Sequence, residues 1–214
     1  ILSHLKRIIQ SHNYAISQQN NHWLSEAAGL FIGGTWLNIK KYSTQGRDSI
    51  ENCINTTIME DGSFSQYSIN YHRLVIDTIC QIELWRRELN LSKFSNNFYK
   101  KCNKAILWLN EFMDPLTGEV SNLGANDGTY CYQLHSQSYD DFRPTLKLAS
   151  NIFEINAFLD NGFWDEPLHW LGLEKSLKSN YKKEVKKKNK LKIYSEGGYI
   201  SLKPNIKNWG FLRV

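Results

Sequence analysis

The sequence predicts a mainly α protein that ends in a few β-strands, and three observations predict it. Apolar residues recur at helical spacing in segment after segment from residue 1 to about residue 160. The links between these segments carry helix start and stop residues. Beyond a lysine-rich stretch the pattern changes to short β-prone runs around Gly197 and Gly198. At 214 residues the chain can bury one sizeable core, or one domain and part of another.

The elements follow in order. Leu2, Leu5, Ile8, Ile9 and Ile16 space a first helix over 1–17. A second covers 23–38, with Ala27, Ala28, Leu30 and Phe31 inward. In "GRDSIENCINTTIMEDG", Asp48 is the expected N-cap of a third, Ile50, Cys53, Ile54 and Ile58 form its stripe, and Asp61-Gly62 ends it. A fourth spans 68–89 on Ile69, Val75, Ile76, Ile79 and Ile82, and a fifth spans 94–112, stopped before Asp114-Pro115. "DPLTGEVSNLGANDGTYCY" is a long turn-rich loop, of a length that tends to be functional or disordered. Pro144 suits the first turn of a sixth helix running to about Leu159. Helices joined in this way stack as a bundle, a solenoid or a closed α/α toroid, and periodicity does not choose among these. "KIYSEGGYISLKP" then reads as a hairpin and "NWGFLRV" as a further strand. An isolated hairpin is marginal, so these strands are expected to lean on the helices or on further chain. The first residue is Ile and opens within a helical pattern, as expected of an internal piece of a longer protein; the lack of a signal peptide here says nothing of secretion.

The net charge is +5, but residues 178–192, "KSNYKKEVKKKNKLK", hold eight Lys and one Glu, leaving −2 for the rest. The high pI is one local charge run, read as a solvated linker rather than a binding face. Only Tyr181 interleaves with these lysines, so nucleic acid is not an expected partner. The four Cys, at 53, 80, 102 and 131, have no C-x-x-C spacing and indicate no metal ribbon or redox pair; Cys53 and Cys80 fall on apolar faces as buried thiols. No apolar run approaches membrane-spanning length. Common nucleotide, zinc-protease and serine-hydrolase motifs are absent. Aromatics make up 13% of the chain, which suits either core packing or sugar grooves, where flat rings cover C–H bonds.

Three polar clusters can carry chemistry. Asn20, Asn21 and His22 stand at the mouth of the second helix, where they either cap it or hold a substrate. Tyr71 and His72 stand near the start of the fourth helix. The third cluster is the loop "GANDGTY" followed by "YDDFRP". None is specific alone.

Taken in order, "NNHWLSEAAGLFIGGTW", "EDGSFSQYSINYHRLVIDTI", "GANDGTYCYQL", "DDFRPTLKLAS", "EGGYISLKP" and "NWGFLRV" resemble the heparinase II/III-like polysaccharide lyases, a group that includes alginate lyases. The resemblance spans residues 20–214. It implies part of an (α/α) toroid catalytic domain, made of helical hairpins, over 1–175, a lysine-rich linker over 176–192, and the truncated start of a β-sandwich over 193–214. It also implies β-elimination on a uronic-acid polymer. The C5 proton of a uronate is a poor acid beside its carboxylate, and donors around that carboxylate stabilise the enolate-like charge. Asn21 and His22 match the family's neutralising pair, and Tyr71 matches its acid, sometimes also its base. Asn20 is then the cap. Trp23, His72, Asn126, Asp127 and Arg143 are softer substrate-binding matches, Arg143 by its carboxylate-binding fork. Glu26 reads as structural, and His135 and His169 carry no motif.

The resemblance further implies an acidic polysaccharide as partner and a periplasmic, cell-envelope or secreted location for the parent protein. Members often draw a further His and a structural divalent metal from the β-sandwich; this chain shows no metal ligand set and needs no cofactor of its own. Two rival classes remain. One is a glycan-binding or scaffold toroid without chemistry. The other is a hydrolase, which needs two carboxylates about 5–10 Å apart, drawn from Glu26, Asp61 and Asp127.

Overall fold

Helices dominate because the chain supplies apolar stripes that must face one another, and the computed structural model arranges them accordingly. It describes residues 1–131, 133–155, 159–173, 191–203 and 210–214. The α-helices are α1 (Leu2–Gln18), α2 (Asn21–Trp36), α3 (Lys40–Thr57), α4 (Ile69–Glu88), α5 (Asn96–Phe112), α6 (Arg143–Ile152) and the short α7 (Glu166–Trp170), with a 3₁₀ turn at Phe163–Asp165. α2 packs against α1, α3 and α4, and α4 also meets α5 and α6. Leu30, Ile50, Ile54, Ile76, Ile79 and Leu109 are fully buried between them. Cys53, Cys80 and Cys102 lie in this core as free thiols, and Cys131 is exposed.

α3 begins eight residues before the expected cap, and Asp48 sits in its interior. Gly46 explains the difference. A Cβ there would collide with the Phe31 backbone nitrogen, so the glycine is where α2 and α3 press closest rather than a break. α6 ends at Ile152, short of Leu159, and Glu154 follows in a left-handed conformation.

The strands β1 (Leu191–Tyr194), β2 (Tyr199–Leu202) and β3 (Gly210–Arg213) form one antiparallel sheet in that order. β1 starts at Leu191, so Lys192 belongs to a strand and not to the linker; the rest of the lysine run up to residue 190 lies outside the described residues. The sheet leans on α5: Tyr194, Tyr199 and Phe211 pack around Trp108 and Phe112. Glu111 of α5 takes the Ser201 hydroxyl at 2.9 Å and also pairs with Lys192. Asp61 holds the hairpin turn through the amides of Glu196 and Gly197, at 3.0 and 2.9 Å. The helices are the main body, and the sheet is a small three-stranded one at the C-terminal end of the described residues. Among the described residues no helix is long and apolar enough to cross a membrane, and no three metal-ligating side chains converge.

Candidate functional site

Two helix starts and one loop supply the candidate side chains. At the start of α2, Asn20 is extended and its side-chain oxygen accepts the His22 amide N–H at 2.9 Å. That satisfies one of the amides a helix leaves free in its first turn. Asn21, the first helical residue, is 8% exposed, and its backbone N–H donates to Gln66 Oε1 at 3.3 Å. Its side-chain oxygen is buried without a hydrogen-bond partner. A 180° turn of the amide exchanges donor and acceptor without changing its shape. The His22 ring is exposed and bonds to none of the described residues.

The start of α4 is held far more tightly. Ser68 Oγ accepts the Tyr71 amide at 3.2 Å and donates to the Ala125 carbonyl at 2.5 Å. The Ile69 amide donates to the Leu123 carbonyl at 3.1 Å. Between these carbonyls, Gly124 has φ +80°, and a Cβ there would collide with the Tyr67 carbonyl. Only glycine lets the loop lie this close across the helix start. The loop thereby brings Asp127 to Tyr71, whose hydroxyl donates to Asp127 Oδ2 at 2.7 Å. Thr129 adds its backbone N–H to Asp127 Oδ1 at 3.1 Å and its hydroxyl at 2.5 Å.

This pairing separates the two groups' titration. The Thr129 and Tyr71 hydroxyls stabilise the carboxylate and bring the Asp127 pKa down to about 2. The same bond to Asp127 raises the Tyr71 pKa above its usual value. At neutral pH the pair is therefore a protonated phenol on a carboxylate.

Behind Tyr71, Tyr139 places its hydroxyl 2.6 Å from both Asn70 Oδ1 and Asn126 Oδ1. One proton serves two acceptors, so one bond is made at a time. Arg73 is 1% exposed, donates to Asn70 Oδ1 at 3.0 Å, and lies 4.1–4.5 Å from the rings of Phe142, Tyr139 and Tyr130. A cation boxed by rings ties the 130–142 segment to α4.

Ser65 Oγ donates to the Gln19 carbonyl at 2.8 Å, and with the Gln66 contact this brings the two helix starts to one end of the molecule. Asn21, His22, Tyr71, Asn126 and Asp127 share that end. Trp23, His72 and Arg143 face elsewhere. Trp23 is buried on the other face of α2, its indole N–H on Ser49 Oγ at 2.7 Å. His72 is core: it stacks on Trp108, bonds the Ala105 carbonyl at 2.9 Å, and burial lowers its pKa to about 4. One position along a helix turns a side chain by about 100°, which separates it from Tyr71. The Arg143 fork is already filled by Asp141, at 2.9 and 2.7 Å, with Trp164 stacked on it. These three leave the contact set.

Sequence offered Arg73, like His72, as a neighbour that could help stabilise a Tyr71 phenolate; the structure instead buries it on Asn70 and in its ring box. What escaped the sequence reading is the ring box itself and His12, 3% exposed in α1, which bridges Glu26 and Ser49.

Residues 2–138 match a family model described as Heparinase II/III N-terminus. The matched span contains Asn21, His22, Tyr71, Asn126 and Asp127 and stops before Arg143. No curated protein and no solved structure matches the chain.

Proposed function

The chain belongs to the heparinase II/III family, and on that premise we propose that it acts in β-elimination on a uronic-acid-containing polysaccharide. The observation that carries the reading is the 2.7 Å bond from Tyr71 to Asp127. It favours the acid half of the tyrosine's role. Asp127 opposes a phenolate, so Tyr71 keeps its proton until the sugar O4 departs and takes it. Asn21 and His22, one helix start away, donate to the uronate carboxylate and stabilise the charge that grows as a base other than Tyr71 takes the C5 proton. The positive end of α2 favours the same anion. Asn126 and Asp127 line the approach to Tyr71.

The match to the family's N-terminal region favours a second reading, glycan binding without chemistry. A hydrolase reading has little support, because Glu26 is tied to His12, Asp61 to the hairpin turn and Asp127 to Tyr71.

The test is ultraviolet absorbance of the full-length parent, and of this segment, on a panel of uronic-acid polymers. Elimination leaves a C4–C5 double bond conjugated to the carboxylate; hydrolysis and binding do not. A rise that vanishes in Tyr71→Phe supports both the reaction and the acid. A rise that survives Tyr71→Phe removes Tyr71 from it. No rise from a folded parent that still binds a polymer selects the second reading.

A further inference from the structure

We propose that the groove between α1, α2 and α3 is a second saccharide site, built for an acidic sugar and separate from the Tyr71 end. Trp23 lies two residues from Asn21, about 200° around the helix, so the groove opens on the other face of α2.

Its floor is a chain of polar contacts running from half-buried Glu26 to the buried His12, Ser49 and Trp23. Glu26 Oε2 is 3.2 Å from His12 Nδ1, His12 Nε2 is 2.8 Å from Ser49 Oγ, and the Trp23 indole N–H donates to the same Oγ at 2.7 Å. A carboxylate only accepts, so Nδ1 carries a proton, and Nε2 lies against the Ser49 hydroxyl. The order Glu, His, Ser is that of an acyl-transfer relay, but two features oppose that chemistry. The indole N–H occupies a lone pair of the would-be nucleophile. Ser49 also stands in the interior of α3, where backbone amides are spent on the helix and cannot receive an oxyanion. The network instead makes a rigid floor with its polar groups satisfied.

Above the floor is a cavity of about 720 Å³, within the ~300–1,000 Å³ range of small-molecule sites. Asn13, Gln45 and Asn52 supply amides that both donate and accept, as sugar hydroxyls require. Lys40 and Lys41 stand exposed at the mouth, Asp48 is the one carboxylate among the described lining residues, and the Glu26 carboxylate beneath is engaged by His12, so the lining charge favours an acid. Trp23 is only 6% exposed, too little to offer a ring face to a stacked nucleobase. Several amides and two lysines disfavour a lipid tail.

The proposal asks for binding and not for elimination, so it stands or falls apart from the role of Tyr71. The experiment titrates the full chain with a tetrasaccharide ending in a hexuronic acid and with its carboxyl-reduced counterpart. It follows the indole N–H resonance of Trp23. The acidic sugar is expected to move that resonance to saturation, with weaker binding of the reduced sugar. Lys40→Ala/Lys41→Ala should raise Kd about tenfold, Asn52→Ala should raise it less, and Tyr71→Phe should leave it unchanged. A resonance that neither sugar moves overturns the proposal, as does binding that the lysine pair and Asn52 can both lose without effect. If the elimination reading fails, no absorbance appears while this titration is unaffected.

Discussion

The starts of α2 and α4 lie at the same end of the molecule, yet they are built on opposite principles. At α4 the groups that meet the loop are engaged: Ser68 caps and grips it, Tyr71 rests on Asp127, and Tyr139 and Arg73 share Asn70 Oδ1, while the unpaired atoms there, Asn70 Nδ2 and Arg73 Nε, are buried behind them. At α2 only Asn20 is so engaged; Asn21 has a buried oxygen with no partner and His22 points to solvent. A proton donor must meet its acceptor at one angle, which a rigid frame provides. Groups that neutralise an incoming carboxylate gain by being left unpaired until it arrives. An orphan of this kind costs about 1–3 kcal/mol, tolerated where a ligand completes it.

The largest expected effects fall on elimination itself. Tyr71→Phe removes the proposed acid and should lower the absorbance rate by ~10²–10⁴ with an unchanged melting temperature. Loss of His22 or Asn21 should cost about 10²–10³, but the two should differ in stability. His22→Ala, at an exposed position, should melt like the parent. Asn21→Ala deletes the orphan and should melt no lower, and even higher, while losing turnover. An Asn21→Ala protein that is both active and destabilised would break the comparison, because Asn21 would then be an ordinary structural residue. Asp127→Asn sharpens it from the other side. Without the carboxylate, the Tyr71 phenol should titrate at lower pH, read as tyrosinate absorbance against Tyr71→Phe. No change in that titration would remove Asp127 as the group that keeps Tyr71 protonated.

The same contrast explains what the sequence revealed. Asn20 as a cap follows from local chemistry, an amide just before an apolar helical run. The strand pair around Gly197 and Gly198 follows the same way. The first turns of α3 do not, because Gly46 is there for helix-to-helix contact, and contact leaves no local pattern. Among the candidate residues that the family resemblance nominated, Asn21, His22, Tyr71, Asn126 and Asp127 lie at one end of the molecule, and facing separated the others. His72 adjoins Tyr71 in sequence and lies in the core. Arg143 has a carboxylate-binding fork, and Asp141, two residues earlier, fills it. The pattern Asp-x-Arg was legible; which carboxylate the arginine holds was not.

The stems of the two helices differ as well. α2 carries Leu24, Ala27 and Phe31 inward, whereas α4 buries His72, Arg73 and Asp77. Burial raises the Asp77 pKa to about 7 and lowers that of His72 to about 4. The signs oppose. Asp77 binds its proton more tightly when folded, so its contribution is complete below the unfolded carboxylate pKa and is lost as pH rises to about 7. His72 is favoured neutral, so its contribution is present above the unfolded imidazole pKa and is lost as pH falls to about 4. Between about pH 4 and 6.5 the two slopes offset each other. Urea unfolding of the parent should be nearly flat there. Asp77→Asn should leave the His72 slope exposed, with stability rising by about 1.4 kcal/mol per pH unit. An equally flat Asp77→Asn profile would show that the two groups are not opposed.

The smallest effect separates the two caps. Ser68→Ala and Asn20→Ala each remove one cap, typically worth about 1 kcal/mol. Ser68 also donates to Ala125, in the loop that presents Asp127, so its loss has a second consequence that Asn20 lacks. Denaturant midpoints should fall similarly in both variants. Hydrogen exchange in 121–129 should quicken only in Ser68→Ala, and the tyrosinate titration should move toward that of Asp127→Asn. If Asn20→Ala loosens the loop as much, the rigid frame extends through Gln66 to α2, and the two helix starts form one unit rather than a fixed proton donor beside an open carboxylate site.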